Sequence, residues 1–265
     1  MHPRVRKVIL AIVLPLLPAC SVKENRDACP CYVNYNFDEL ISEGYRSALV
    51  SVSSDVSLYR EDLDLLSVAG SGLDVPVPKT YVRSSVVLGL DRSYRSGDTL
   101  AVRENVEADE VYVWSDLRLC REEVVSLRPR PSKQYCKVDI IVTGVPPGAE
   151  YPYDMKVRAN CCGLDLFDLL PVEGKYSTVV RKNNTSSYSV RIPRQKESDI
   201  ILDFLEKSGD DEPVGGIDLG NEMDKKGYDW TKESLDDIFV ILDFVRMDFS
   251  LKIVEWDPYK LEIEI

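Results

Sequence analysis

The chain has 265 residues, with 33 basic and 45 acidic side chains and a formal net charge of −12. That balance argues against nucleic acid as a partner and against electrostatic docking on anionic lipid. Its one histidine, His2, lies at the very start, so the rest offers no Ser-His or Cys-His pair, no histidine zinc ligand and no imidazole acid or base.

Arg4, Arg6 and Lys7 open the chain, and an apolar run over 8–17 follows, broken only by Pro15. The run is too short for a bilayer core of ~30 Å, which takes about 20 apolar residues. It reads as a secretory signal peptide over 1–19. The cut site, Leu17-Pro18-Ala19-Cys20, resembles a bacterial lipoprotein box. In that chemistry the Cys20 thiol takes a diacylglycerol, the bond after Ala19 is cut, and the new amine is acylated, with palmitate-like chains. Acyl burial is worth ~0.8 kcal/mol per CH₂ and two anchoring signals already hold stably, so three chains on Cys20 make a lasting attachment. Residues 20–31 form the lipidated tether, polar as a tether should be. Ser21 looks like an outer-membrane address, and Lys23-Glu24 resembles a surface-export signal. The expected location is the cell outer membrane, lipid-anchored and surface-exposed.

About 245 residues then remain, enough for two ordinary domains. Short runs with period-two alternation follow one another, punctuated by turn residues. In the first half these are 32–37, 48–53, 81–90, 98–103 and 111–114. The stretch 118–133, ending Arg128-Pro129-Arg130-Pro131, reads as a linker, because its prolines forbid a central strand. In the second half Cys136, Val138, Ile140 and Val142 share one face, and so do Tyr153, Met155, Val157 and Ala159. Further strands are expected at 176–181, 187–192, 199–205, 237–246 and 249–255, with Asn183-Asn184 as a tight hairpin turn. The last, 261–265, sets Leu261, Ile263 and Ile265 on one face. It is either the closing strand of its own sandwich or a donor to a partner. One helix is possible at 164–170, stopped by Pro171. The pattern predicts an all-β protein, with a sandwich over 32–130 and a second over 134–265.

Six cysteines follow Cys20: Cys29, Cys31, Cys120, Cys136, Cys161 and Cys162. None forms a C-x-x-C, so an oxidising envelope makes disulfides the better reading. A hairpin around Pro146-Pro147-Gly148 would set Cys136 opposite Cys161. Cys162 then faces the other way, free or reaching Cys120, Cys29 or Cys31. Carboxylate pairs such as Asp165 and Asp168 are expected from an acid-rich chain without a glycosidase role. No calcium loop, phosphate-cradling loop or G-x-S-x-G occurs. No enzyme activity, catalytic residue, cofactor or metal site is expected. Tyr151 and Tyr153 could bind a sugar, although strand aromatics are more often core.

The second half, with the tether before it, resembles the FimB-type fimbrial anchor family, the minor lipidated subunits of type V fimbriae. The likeness rests on Val138-Asp139-Ile140-Ile141-Val142-Thr143-Gly144-Val145, on the hydrophobic-acidic strand over 235–244, and on the close over 249–256. Val111-Tyr112-Val113-Trp114 is similar to the Tyr/Trp strand of the family's first domain, and Cys20 followed by Cys29-Pro30 fits its start. The stretch 56–75 departs most from the family's pattern. The resemblance implies two tandem transthyretin-like β-sandwich domains on an outer-membrane lipid. It also implies a subunit that anchors fimbriae, limits their length and pairs with a stalk subunit by β-strand exchange. The alternative is a surface glycan-binding or other cell-envelope lipoprotein.

Overall fold

The computed structural model describes residues 29–207, 212–246 and 248–257. Over these the chain is built from strands with a few short helices, the all-β architecture that the alternation predicts.

β1 (Cys31–Tyr35) alternates buried and open positions, because successive strand side chains point to opposite faces. After it, the single-turn helix α1 (Asp38–Ser42) drops Leu40 onto the core. β2 (Ser47–Ser53) and β3 (Leu58–Asp64) pair as a hairpin, β4 (Leu73–Val77) returns along β1, and β5 (Tyr81–Leu88) pairs with β2. A small hairpin, β6 (Tyr94–Ser96) and β7 (Thr99–Ala101), precedes β8 (Tyr112–Leu119), which pairs with β5. β9 (Val124–Leu127) lies within the stretch that the prolines mark as a linker, and it runs parallel to β1 at a sheet edge. The prolines confine it there, since the strand ends before Pro129. β10 (Ser132–Lys133) adds two residues to the edge of β8. The sheets β4-β1-β9 and β10-β8-β5-β2-β3 close on one core, in which Val33, Tyr35 and Val75 meet Val50, Val86 and Leu65.

The second half holds β11 (Tyr135–Thr143), β12 (Tyr153–Asp165), β13 (Pro171–Val179), β14 (Arg181–Lys182), β15 (Ser187–Pro193), β16 (Ile201–Glu206) and β17 (Pro213–Asp218). The helix α2 (Leu219–Lys225) then leads by a loop to β18 (Asp237–Asp243) and β19 (Asp248–Val254). One sheet runs β14-β15-β11-β18-β19 and the other β17-β16-β12-β7-β6, with β13 also on β12. Val138, Ile140, Val157, Leu202 and Val240 lie in the core these sheets share.

The two halves interlock. β7 pairs with β12, so the β6–β7 hairpin of the first half extends a sheet of the second. A third cluster, Val87, Val113, Leu100, Leu164 and Leu166, fills the space between them. This explains the unbroken apolar end of β5, where Val86 and Leu88 face one core and Val87 the other. The expected helix at 164–170 is absent. β12 continues to Asp165, and the turn after it holds Leu169 at a φ of 55°, outside helical space.

Candidate functional site

The strand nearest the expected tether is a central one, flanked on both sides. β1 sits between β4, antiparallel with Cys31 opposite Val77 and Tyr35 opposite Leu73, and β9, parallel with Tyr32 opposite Val124. Cys31, Val33 and Tyr35 are buried, while Tyr32 faces out. The backbone N–H of Tyr32 donates to Glu123 O at 2.8 Å and that of Asn36 to Leu127 O at 2.9 Å, which closes both ends of the β9 ladder. On the core side the Tyr35 ring lies 6.1 Å from Phe37, stacked, and 6.4 Å edge-on from Trp114. Its hydroxyl meets Ser84 Oγ at 2.6 Å, and burial holds its ionisation well above the ordinary tyrosine range. Asn34 Nδ2 donates to Asp74 Oδ1 at 2.8 Å on the outer face. The space occupied by β1 is therefore a strand-shaped groove, with two main-chain ladders and pockets for alternate side chains.

Cys20 lies outside the described residues, and so do the candidate partner-strand residues Leu261, Ile263 and Ile265. The last described stretch returns toward the first half. The N–H of Trp256 donates to Asp236 Oδ1 at 3.2 Å, and its ring lies 6.1 Å from Tyr112. Tyr112 in turn meets Tyr45 and Tyr135 edge-on, and its hydroxyl is 3.2 Å from that of Tyr135. Four aromatic rings thus fill the seam at which the chain crosses from β9 to β11.

The hairpin expected to set Cys136 opposite Cys161 does not form. β11 and β12 belong to different sheets, and the chain crosses between them at Pro146-Pro147-Gly148 instead of folding back. Cys136 faces Ile192 on β15, and the parallel ladder of β11 with β18 begins only at Val138, while Cys161 sits at a bulge opposite Glu173. Burial pushes the Cys136 thiol up to about 12 and raises Cys161 as well.

Aromatic residues also line a cleft of about 550 Å³ at one end of the second half. Tyr151 meets Phe244 at 5.6 Å and Tyr153 at 5.7 Å, both edge-on, with Phe204 beyond Tyr153. Tyr151 is buried, so it adds packing and not an open sugar platform. The rim is acidic, but Asp218 accepts from the N–H of Asn221, and Asp243 from those of Val245 and Arg246. Those carboxylates cap local turns. Among the described residues no cluster of His, Cys, Asp or Glu could hold a metal ion, and no helix is long and apolar enough to cross a membrane.

No protein-family model matches the sequence, and no curated protein matches it either. Solved structures do match. The fimbrial anchor protein Mfa2 from Porphyromonas gingivalis superposes with a TM-score of 0.56 at 12% identity, over 86% of this chain and 98% of that one. A candidate adhesin from Bacteroides ovatus gives 0.58 at 10% identity, over 85% and 92%. A candidate polysaccharide-binding protein from Bacteroides thetaiotaomicron gives 0.55 at 13% identity, over 82% and 92%. The chain shares their fold. Alternation made the strands legible, but it carried no sign that β1 is a central strand, nor that β7 joins the second half.

Proposed function

We propose that this chain is an outer-membrane lipoprotein that anchors fimbriae to the cell surface and limits their length by pairing with a stalk subunit through strand exchange. The observation that carries the reading is β1, a buried central strand that begins about ten residues after Cys20. A lipidated subunit has to keep its N-terminus, and here that N-terminus fills its own groove. One end of the assembly is then blocked, and growth stops at the membrane. A tether of about ten residues reaches at most ~35 Å, so the first sandwich is held close to the bilayer. In this reading 32–130 and 134–265 are the two tandem transthyretin-like sandwiches, with the β6–β7 hairpin lent from one to the other. The likeness to a fimbrial anchor protein supports it, as does the absence of a histidine beyond His2 for a non-enzymatic role.

Replacing Cys20 with Ala is the test. The expected result is that protein and fimbriae both leave the outer membrane and appear in the medium. Fimbriae that stay attached and of normal length would contradict the reading. The partner strand we assign is Leu261, Ile263 and Ile265. Deleting 259–265 should detach fimbriae and leave the isolated protein melting nearly as before. Loss of cooperative unfolding would make that strand structural instead.

A glycan-binding surface lipoprotein is the second reading, favoured by the aromatic cleft around Tyr153 and Phe204. Calorimetric titration with oligosaccharides, comparing the wild type with Phe204→Ala, separates it from the first.

A further inference from the structure

Cys31 opens β1, and Cys120 directly follows β8. Eighty-odd residues separate them in sequence, yet their side chains lie beside each other in one core. The corner between β4 and β5 brings them together. Cys31 is opposite Val77, the last residue of β4, and the chain then turns through Pro78 into β5. At that turn the N–H of Cys120 donates to Thr80 O at 2.9 Å, and Leu119 is opposite Tyr81. Both cysteines are buried in the same core. Register, turn and burial converge on one pair of sulfurs.

We infer that Cys31 and Cys120 are joined as a disulfide in the exported protein, stapling β1 into its groove. The chemistry requires an oxidant, for which we name the disulfide of an envelope thiol oxidoreductase. The thiolate of one cysteine attacks that disulfide, forms a mixed disulfide and expels one oxidant thiolate. The second cysteine's thiolate then attacks the first cysteine's sulfur and expels the other. One S–S bond forms and one breaks, and the two electrons and two protons end on the oxidant as a dithiol.

Timing follows from burial. Within the folded core burial pushes the Cys120 thiol up to about 11 and raises Cys31, so neither is a ready nucleophile there. The bond therefore closes during folding, before β1 is sealed in, and it serves as a structural staple instead of a redox switch. Closing a loop of about 90 residues constrains the unfolded chain strongly. The mechanical consequence rests on the anchoring reading: pull on the tether would pass from β1 into β8, so the strand could not peel out. The bond itself requires only export to an oxidising compartment.

The test is non-reducing peptide mapping of the full-length protein from the envelope of producing cells, with free thiols blocked by N-ethylmaleimide at lysis. The expected result is a cross-linked peptide pair carrying Cys31 and Cys120. A Cys29→Ser variant should retain it. Cys31 and Cys120 both recovered as blocked free thiols, or a cross-link lost with Cys29→Ser, would overturn the inference. As a second readout, reductant should lower the melting temperature of the wild type by about 10 °C. It should leave a Cys31→Ala/Cys120→Ala variant unmoved, and an unmoved wild type would also overturn the bond. Fimbrial attachment is read separately on the double variant, so a failure of the anchoring role leaves the mapping result standing.

Discussion

The hydroxyl of Tyr35 on β1 and the Ser84 Oγ on β5 meet at 2.6 Å, across the core of the first half. It is a polar bond set among apolar side chains, and it ties the strand beside the expected tether to the facing sheet. Tyr35→Phe removes the hydroxyl alone and should cost about 1 kcal/mol, as a neutral buried hydrogen bond does. Tyr35→Ala also empties the space among Phe37 and Trp114 and should cost about 4 kcal/mol. Urea unfolding of both variants checks the order. A Tyr35→Ala protein as stable as the wild type would mean that β1 does not hold the core together.

Asp109 supplies a pH dependence. Its buried carboxylate accepts from the backbone N–H groups of Asp91, Arg92 and Ser93, at 2.7–3.1 Å. Burial alone would raise its ionisation, but those amides outweigh burial and hold it below the ordinary carboxylate range. A depressed folded value means that the unfolded chain takes up the proton first. The stabilisation is therefore full above about pH 4, the unfolded value, and is lost as pH falls through the lower folded value. Asp109→Asn should flatten this acid limb of the stability curve, while stability at pH 7 drops by about 2 kcal/mol. Denaturation midpoints from pH 2 to 7 for both proteins read the difference.

Arg194 is a buried guanidinium whose partners are carbonyl oxygens and not a carboxylate. It donates to Gln134 Oε1 at 2.7 Å, to Lys232 O at 2.7 Å, to Glu233 O at 2.9 Å and to Trp230 O. It fixes the loop between α2 and β18 onto the start of β11. Arg194→Met keeps the bulk and strands those acceptors, at an expected cost of about 3 kcal/mol. Hydrogen exchange should quicken over 229–237 and stay unchanged in β2 and β5.

Gly220, in the first turn of α2, approaches the backbone of Ser198 so closely that a Cβ would overlap the Ser198 carbonyl. Its N–H donates to Ile200 O at 2.9 Å, which holds the helix there. Gly220→Ala raises helix propensity, yet it should destabilise by about 3 kcal/mol, because neither backbone can yield. Thermal melting decides the sign.

The faces of the strands were legible in the sequence, and their neighbours were not. Val138, Ile140 and Val142 read as one buried face, and they are. Period two reports which side of a strand is wet, but it is silent on which strand lies alongside. So β11 and β12 read as a hairpin, whereas β11 pairs in parallel with β18, about a hundred residues later. Long-range parallel pairing leaves no mark on local alternation. The helix α2 was missed because seven residues with one glycine give too little periodicity, although Asp218 caps it by accepting from Asn221. The groove around β1 was legible only in part. Val33 and Tyr35 announce a buried face, while the parallel partner β9 hides in a proline-flanked stretch.

The most direct measurement is the N-terminal mass of the protein recovered with fimbriae from the cell surface. The account predicts a mature chain that begins at Cys20, carries its acyl chains and retains Cys31 to Tyr35. A chain that begins beyond Tyr35 would leave the groove between β4 and β9 open, and it would contradict the claim that this subunit ends the fimbria by keeping its own first strand.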